Sequence, residues 1–368
     1  MERRNIVFIL GAGCSKEDGV PLVNEFFDMA EKVNVKSGND ESNGDLEVVL
    51  GFRTEYLPGS NIEELFSFID LQTKLRTINF EQESLEDIKK ALIRLIKFTI
   101  KESVKDDKVT YAKMFFNGLS PTLGMSNVHM VTLNWDLLLD NALMQPSSGG
   151  CRIEYGTRFK VLNKGHEEIV HSTSQNPTLY KLHGSLSWSV CSSCGEIYFN
   201  YQANPPKINY FENSKDKLKC QKCKMVLIPL MLPPTFSKFD EEHLSKHLRE
   251  IWYLARHILI NADRVIMVGY SLPENDLHFK LFFRNVLREN LNKNEGKGDL
   301  RIEIINFIPY SKNREIFEER HKEIFDSVNN SYDRSRKIVP TFIYQKFSDY
   351  IIEGLSRLSQ SESRAINP

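Results

Sequence analysis

The sequence predicts an α/β fold: a doubly wound parallel sheet with a helical insertion and a small metal module. Three observations carry this expectation. Short apolar runs alternate with helix-periodic stretches along the chain. Several of those runs end in glycine or polar residues, where open parallel sheets bind their ligands. Two Cys-x-x-Cys pairs share one turn-rich segment, a spacing suited to metal.

Residues 5–10 (NIVFIL) form an apolar run ending in Gly11-Ala12-Gly13, the pattern of a buried parallel strand entering a tight turn. Residues 21–33 are helix-periodic, with Pro21 at a first-turn position. The stretch 35–45 is polar and turn-rich and reads as a surface loop or insertion. Helical spacing covers 61–120, as in Ile62, Leu65, Phe66 and Ile69, then Ile88, Leu92, Leu95 and Ile96, and suggests about three helices.

The α/β pattern resumes at 128–134 (VHMVTLN), followed by a helix through LLLDNALM. A third strand follows at 178–183 (TLYKLH). Segment 188–223 has the cysteines and turn residues of a metal module. A further strand at 225–232 (MVLIPLML) precedes the ProProThrPheSer of 233–237. Residues 240–260 and 276–293 are helical, 264–270 is another core strand, and 301–308 is the last clear strand. From about 345 the tail reads as an amphipathic helix with a frayed end. No internal repeat is found. The resulting division is a core of 1–34, 121–187 and 225–345, a helical insertion of 35–120, a metal module of 188–224, and a C-terminal helix and tail of 346–368.

Composition narrows the class. The chain of 368 residues is long enough for one large or two modest domains. Its 48 basic and 49 acidic residues nearly cancel, so charge gives no global bias toward nucleic acid or membrane. No uninterrupted apolar run approaches a membrane span. The basic-then-apolar start meets a glycine turn where a leader's cleavage site would stand. The expected setting is cytoplasmic. Six cysteines in so long a chain do not read as a disulfide framework. Cys14 and Cys151 read as ordinary small residues.

The candidate site residues stand at strand ends. Gly11, Ala12 and Gly13 either let backbone amides approach a pyrophosphate or serve a plain structural turn. Lys16 occupies the third glycine position of the dinucleotide fingerprint, and no acidic residue ends a clean second strand, so a hydride-transfer dehydrogenase fits poorly. Asn134 and Asp136 end the second core strand, where they either meet a ligand or cap a helix. His183 ends the third strand and is either a structural or surface histidine or, with a ring suited to it near neutral pH, a general base. Gly269, Ser271 and Asn306 end the last two core strands and fit either ribose hydroxyls or loop chemistry. Cys191, Cys194, Cys220 and Cys223 can supply four thiolates to one tetrahedral zinc, a closed structural site; a redox-active pair is the alternative. His243 and His247 have metal-ligand spacing but lie in a charged helix that reads as a solvated face.

Taken in order, GlyAlaGly-x-Ser (11–15), Thr-x-Asn-x-Asp (132–136), HisGly (183–184), the two Cys-x-x-Cys pairs and Gly-x-Ser (269–271) resemble the sirtuin (Sir2) superfamily. The resemblance spans roughly residues 5–310. It implies a Rossmann-like doubly wound parallel sheet that binds NAD⁺, with a helical insertion and a small zinc-ribbon module. Protein deacylases of that family read Gly-Ile-Pro-Asp-Phe-Arg where this chain has Gly19-Val20-Pro21-Leu22-Val23-Asn24. Their Thr-Gln-Asn-x-Asp glutamine is Leu133 here, and their Phe-Gly-Glu stretch is ProProThrPheSer. With its LeuAsnTrpAsp and GlyTyrSer variants, the chain looks more like the SIR2-like NAD⁺ hydrolases of prokaryotic antiviral defence.

The resemblance implies catalytic roles for Asn134, Asp136 and His183. It implies a diphosphate cradle of Gly11, Ala12, Gly13 and Ser15, and an adenosine side of Gly269, Ser271 and Asn306. NAD⁺ would be the substrate and Zn²⁺ a structural ion. The expected activity is cleavage of NAD⁺ to nicotinamide and ADP-ribose; the alternative is an NAD-dependent protein deacylase or ADP-ribosyltransferase. No large sensor domain is expected beyond the core. Control is therefore expected through a homo-oligomer or a separately encoded partner, such as a HerA-like ATPase or a nucleic-acid-guided protein. Direct nucleic-acid binding is left open.

Overall fold

The computed structural model describes residues 5–75, 82–104, 128–144, 153–161, 178–203, 206–208, 210, 218–232, 242–273, 276–331 and 335–351. The strands are β1 (Ile6–Leu10), β2 (Val128–Thr132), β3 (Lys160–Val161), β4 (Thr178–Lys181), β5 (Gly184–Cys191) and β6 (Ile197–Phe199). They continue with β7 (Tyr201–Ala203), β8 (Pro206–Ile208), β9 (Leu227–Met231), β10 (Arg264–Val268), β11 (Leu300–Ile305) and β12 (Ile338–Ile343). The helices are α1 (Ala12–Lys16), α2 (Phe26–Ser37), α3 (Asp40–Tyr56), α4 (Ile62–Leu75) and α5 (Gln82–Ser103). After these come α6 (Leu138–Leu143), α7 (Glu242–Ile260), α8 (Leu277–Lys293) and α9 (Ser311–Asn329).

Six strands form the main sheet in the order β12-β11-β10-β1-β2-β4, every neighbouring pair parallel. All five residues of β1 are buried, because helices cover both faces of a parallel sheet and leave no place for polar alternation. From β1 the chain goes to β2 and β4 on one side, while β10, β11 and β12 build the other. The strand order therefore reverses at β1, and the crevice at its carboxyl end is where such sheets take ligands.

A second, four-stranded sheet has the order β3-β6-β5-β9, and β7 pairs with β8 alone. This corrects two sequence expectations. Leu227–Met231 does not join the parallel sheet but pairs antiparallel to β5. β5 itself starts at Gly184, inside the stretch assigned to the core, and is buried along its whole length. Its Ser185, Ser187 and Ser189 alternate with Leu186, Trp188 and Val190; buried serines in a strand have the composition of a turn. A third correction is β12, beyond the last strand the apolar pattern had marked. It carries Pro340 and pairs only with β11, the edge position where a missing N–H does least harm.

Helices α2 to α5 pack on one another around Phe27, Ala30, Val49, Leu65, Leu92 and Ile96. The expected surface loop at 35–45 is instead one tight junction. Gly38 ends α2 in the left-handed conformation (φ 59°), and the Asn39 side chain accepts from the Ser42 N–H at 3.0 Å to start α3. Most of the polar residues that suggested a loop are exposed; the two that are buried, Ser42 and Asp45, are satisfied. Ser42 Oγ donates to Asn34 Oδ1, and Arg94 clamps the Asp45 carboxylate with two bonds. The segment 105–127, the ProProThrPheSer segment, Cys151 and the tail beyond 351 lie outside the described residues. Among the described residues no helix is long and apolar enough to cross a membrane.

Candidate active site

The glycine turn owes its composition to a close approach of two backbones. A Cβ on Gly11 would stand 2.6 Å from the Gly269 carbonyl oxygen, and one on Gly13 would stand 2.8 Å from the Gly269 Cα. Gly269 has φ +61°, and a Cβ there would meet the Cys14 nitrogen at 2.3 Å. Gly11 donates its N–H to Val268 O and Gly13 to Gly269 O, at 2.9 and 2.8 Å. These glycines lock the turn after β1 onto the turn after β10. Cys14 lies in this turn, and burial, with the Asp136 carboxylate beside it, pushes its thiol up to about 12, so it stays neutral at physiological pH.

The loop after β2 is bolted to that turn. Asn134 Nδ2 donates to Gly11 O at 2.9 Å and to Ser15 Oγ at 3.0 Å. Ser15 Oγ in turn donates to Asp136 Oδ2 at 2.8 Å. The other oxygen of Asp136 accepts the Leu138 N–H at the start of α6, at 3.1 Å. Both oxygens of this buried carboxylate are thus engaged in holding the loop. Burial raises its pKa, opposed by Lys181 and by the Ser15 hydrogen bond.

Beneath the loop lies a buried ionic cluster that sequence reading missed. Lys181 Nζ donates to Asp140 Oδ2 at 2.7 Å and to the Asp136 carbonyl at 2.6 Å. Tyr155 donates its hydroxyl to Asp140 Oδ1 at 2.6 Å. The signal was present as a lysine ending a buried strand and an aspartate inside the apolar LLLDNALM. Without their pairing, neither residue stands out from a solvated charge.

His183 sits in the turn between β4 and β5. Gly184 has φ +74°, and a Cβ there would lie 2.2 Å from Leu230 O, so this turn requires glycine. The His183 carbonyl accepts the Leu232 N–H at 2.8 Å and the Trp135 indole N–H at 3.2 Å. Trp135 also donates to Leu232 O, which ties the Asn134 loop to the ends of β4 and β9. Trp252 closes the other side, donating its indole N–H to Leu182 O at 2.9 Å.

A cleft of about 550 Å³ opens at this carboxyl edge, a size suited to a nucleotide-class ligand. Ala12, Gly13, Asn134, Asp136, His183, Gly269, Ser271 and Asn306 all line it, so eight sequence-predicted residues from five strand ends meet there. Gly11 and Ser15 do not line it. Gly11 packs against Tyr270, and Ser15 stands behind Asn134 and Asp136. The opposite wall is apolar, with Val20, Phe26, Ile62, Ile96, Ile100 and Leu133. Trp135 of the LeuAsnTrpAsp variant also lines the cleft, as do Glu63, Asp276 and Arg320, which come from positions with no motif of their own.

Cys191, Cys194, Cys220 and Cys223 bring their four sulfurs within 4.8 Å of one another. Four thiolates around one zinc stand about 3.8 Å apart, so this donor set fits a single tetrahedral ion with no open position. Each knuckle turns through a left-handed residue just after its second cysteine, Gly195 (φ 70°) and Lys224 (φ 64°). The Tyr198 hydroxyl lies 3.3 Å from Cys220 Sγ and accepts the Gln221 N–H. His247 does not face solvent as expected. Its Nε2 lies 2.8 Å from Gly195 O and its Nδ1 3.3 Å from Thr157 Oγ1, which docks the module on α7. The side chain of His243 lies outside the described residues.

The chain is similar to a Sir2 homologue variant solved with ADP-ribose, at 14% identity and TM-score 0.47, covering 98% of this chain and 94% of that one. It is also similar to Sir2Tm bound to a propionylated peptide, at 13% identity and TM-score 0.44, covering 97% and 94%. No curated protein matches the chain. The family model described as a SIR2-like domain matches residues 128–327, more than half of the chain and the part that holds Asn134, His183, the four cysteines and Ser271. The chain belongs to this SIR2-like family.

Proposed function

We propose that this protein is an NAD⁺ hydrolase that cleaves NAD⁺ to nicotinamide and ADP-ribose. One observation carries the reading. Asn134 and His183, from two different strands, line a single cleft with the glycine turn, Ser271 and Asn306. Membership of the SIR2-like family is consistent with NAD-dependent chemistry.

The bond between nicotinamide and ribose breaks with its electrons passing to the pyridinium nitrogen, so the leaving group departs neutral and needs little acid assistance. Water then bonds to the ribose carbon and must lose a proton. His183 is the base that takes it or the group that orients the 2′- and 3′-hydroxyls, and Asn134 positions the ribose and the attacking water. The amide of Asn134 is held through its nitrogen by Gly11 and Ser15, which presents its oxygen in a fixed direction. Asp136 fixes the loop that borders the nicotinamide. Ala12 and Gly13 sit beside the diphosphate, and Gly269, Ser271 and Asn306 beside the adenosine. Zinc, held by the four cysteines, would supply a structural clip and no chemistry at the cleft.

The missing Asp-Phe-Arg, with Leu22, Val23 and Asn24 in its place along the cleft, favours water over an acyl-peptide acceptor. The activity would serve antiviral defence by depleting NAD⁺, restrained by self-assembly or by a partner such as a HerA-like ATPase. The support for that role is the helical layer and the LeuAsnTrpAsp and GlyTyrSer variants. Asn134→Ala and His183→Ala should each lower nicotinamide release about 100-fold or more. Intact cleavage in either variant would overturn the role assigned to that residue.

A further inference from the structure

We propose that Lys181 is a positioning residue that sets the spacing between Asn134 and His183; the inference rests on the activity proposed above. Lys181 is 1% exposed and its partner Asp140 is fully buried. An ion pair this deep is a poor way to gain stability, because apolar residues of the same volume commonly serve as well or better. Its location suggests another use. Lys181 is the last residue of β4, two positions before His183. Its ammonium grips the Asp136 carbonyl at 2.6 Å, two positions after Asn134. One side chain thus joins the strand that delivers the histidine to the loop that delivers the asparagine. Asp140 holds the ammonium from below, and Tyr155 holds Asp140. Lys181, Asn134, Ser15 and Asp136 also line one small chamber, and a shift of the lysine reaches the Asn134 loop through the Asp136 carbonyl.

A misplacement of about 1 Å can cost about 100-fold in rate with little effect on binding. The test replaces the pair together, Lys181→Met with Asp140→Asn, so that no charge is left buried alone. In protein labelled with ¹⁵N-asparagine, the side-chain amide signal of Asn134, assigned by its loss in Asn134→Ala, reports its anchoring without any substrate. The proposal expects a folded double variant whose Asn134 signal shifts and broadens, whose kcat falls about 10- to 100-fold, and whose KM changes less than about threefold. Tyr155→Phe alone keeps the ion pair and the ring and removes only the hydroxyl that holds Asp140. It should lower kcat about threefold at constant KM, and it carries the test should the double variant fail to fold. A folded variant with an unchanged Asn134 signal, or with kcat and KM moving together, overturns the proposal. A native protein that leaves NAD⁺ intact sinks the proposed activity, while the asparagine signal still decides the positioning.

Discussion

The glycine turn at the sheet edge and the cysteine module flank the same histidine, yet they hold their shapes by different means. At the sheet edge, Gly11, Gly13 and Gly269 press backbone on backbone, and the large surrounding core fixes the loops. Among the described residues, the buried cluster around the two knuckles is Cys191, Tyr198, Cys220 and Leu227, with Cys194, Leu218 and Cys223 packed against it. So small a core does little to hold two knuckles with left-handed residues in place, and a metal bound by the four cysteines would supply what packing does not. The two regions meet at His183, whose carbonyl is held by the end of β9 from the module and by Trp135 from the sheet edge. Conformation at the cleft should therefore respond both to packing defects and to metal loss, through separate routes.

The largest effect expected is metal removal. A structural zinc contributes on the order of 10 kcal/mol to folding its module. Chelation should raise hydrogen exchange through β5 and β9 while leaving β1 and β10 protected. Equal protection before and after chelation would erase the distinction between the regions. Next comes Gly269→Ala, which adds a Cβ 2.3 Å from the Cys14 nitrogen at a positive φ. It should cost about 3 kcal/mol or more in denaturant unfolding and leave bound zinc unchanged. A loss of zinc in that variant would show that the module depends on the sheet edge.

A smaller effect lies on the sheet side alone. His321 is buried in α9, with Nδ1 on Phe317 O and Nε2 unpartnered, and burial pushes its pKa down to about 4. The unfolded chain takes up that proton near pH 6.5, so stability is full above this pH and is lost as pH falls toward 4. The loss should reach about 3 kcal/mol and disappear in His321→Phe, read from melting curves across that range. A wild type with no change in stability between pH 6.5 and 4 would contradict the burial of a neutral imidazole there.

Much of this architecture was legible from pattern. Buried parallel strands read as continuous apolar runs, which is why β1, β2, β4, β10 and β11 stand where they were expected. Part of what escaped has a common physical cause: polar residues that tertiary partners bury. Ser185, Ser187 and Ser189 hide a fully buried strand, and Ser42 and Asp45 hide the start of a helix. The cleft residues that stand at strand ends were legible because the topology gathers strand ends in one place. Arg320, Glu63 and Asp276 reach the same cleft from helices and loops, where sequence position carries no such rule. Lys181 and Asp140 mean something only as a pair, and 41 residues separate them.

The most direct test of the account is nicotinamide release from NAD⁺ by the full-length protein, with and without an acetylated peptide, beside His183→Ala. The account predicts release without peptide, at a rate the peptide does not raise, and its loss in the variant. Release that requires the peptide would contradict it and make an acyl-lysine the true acceptor.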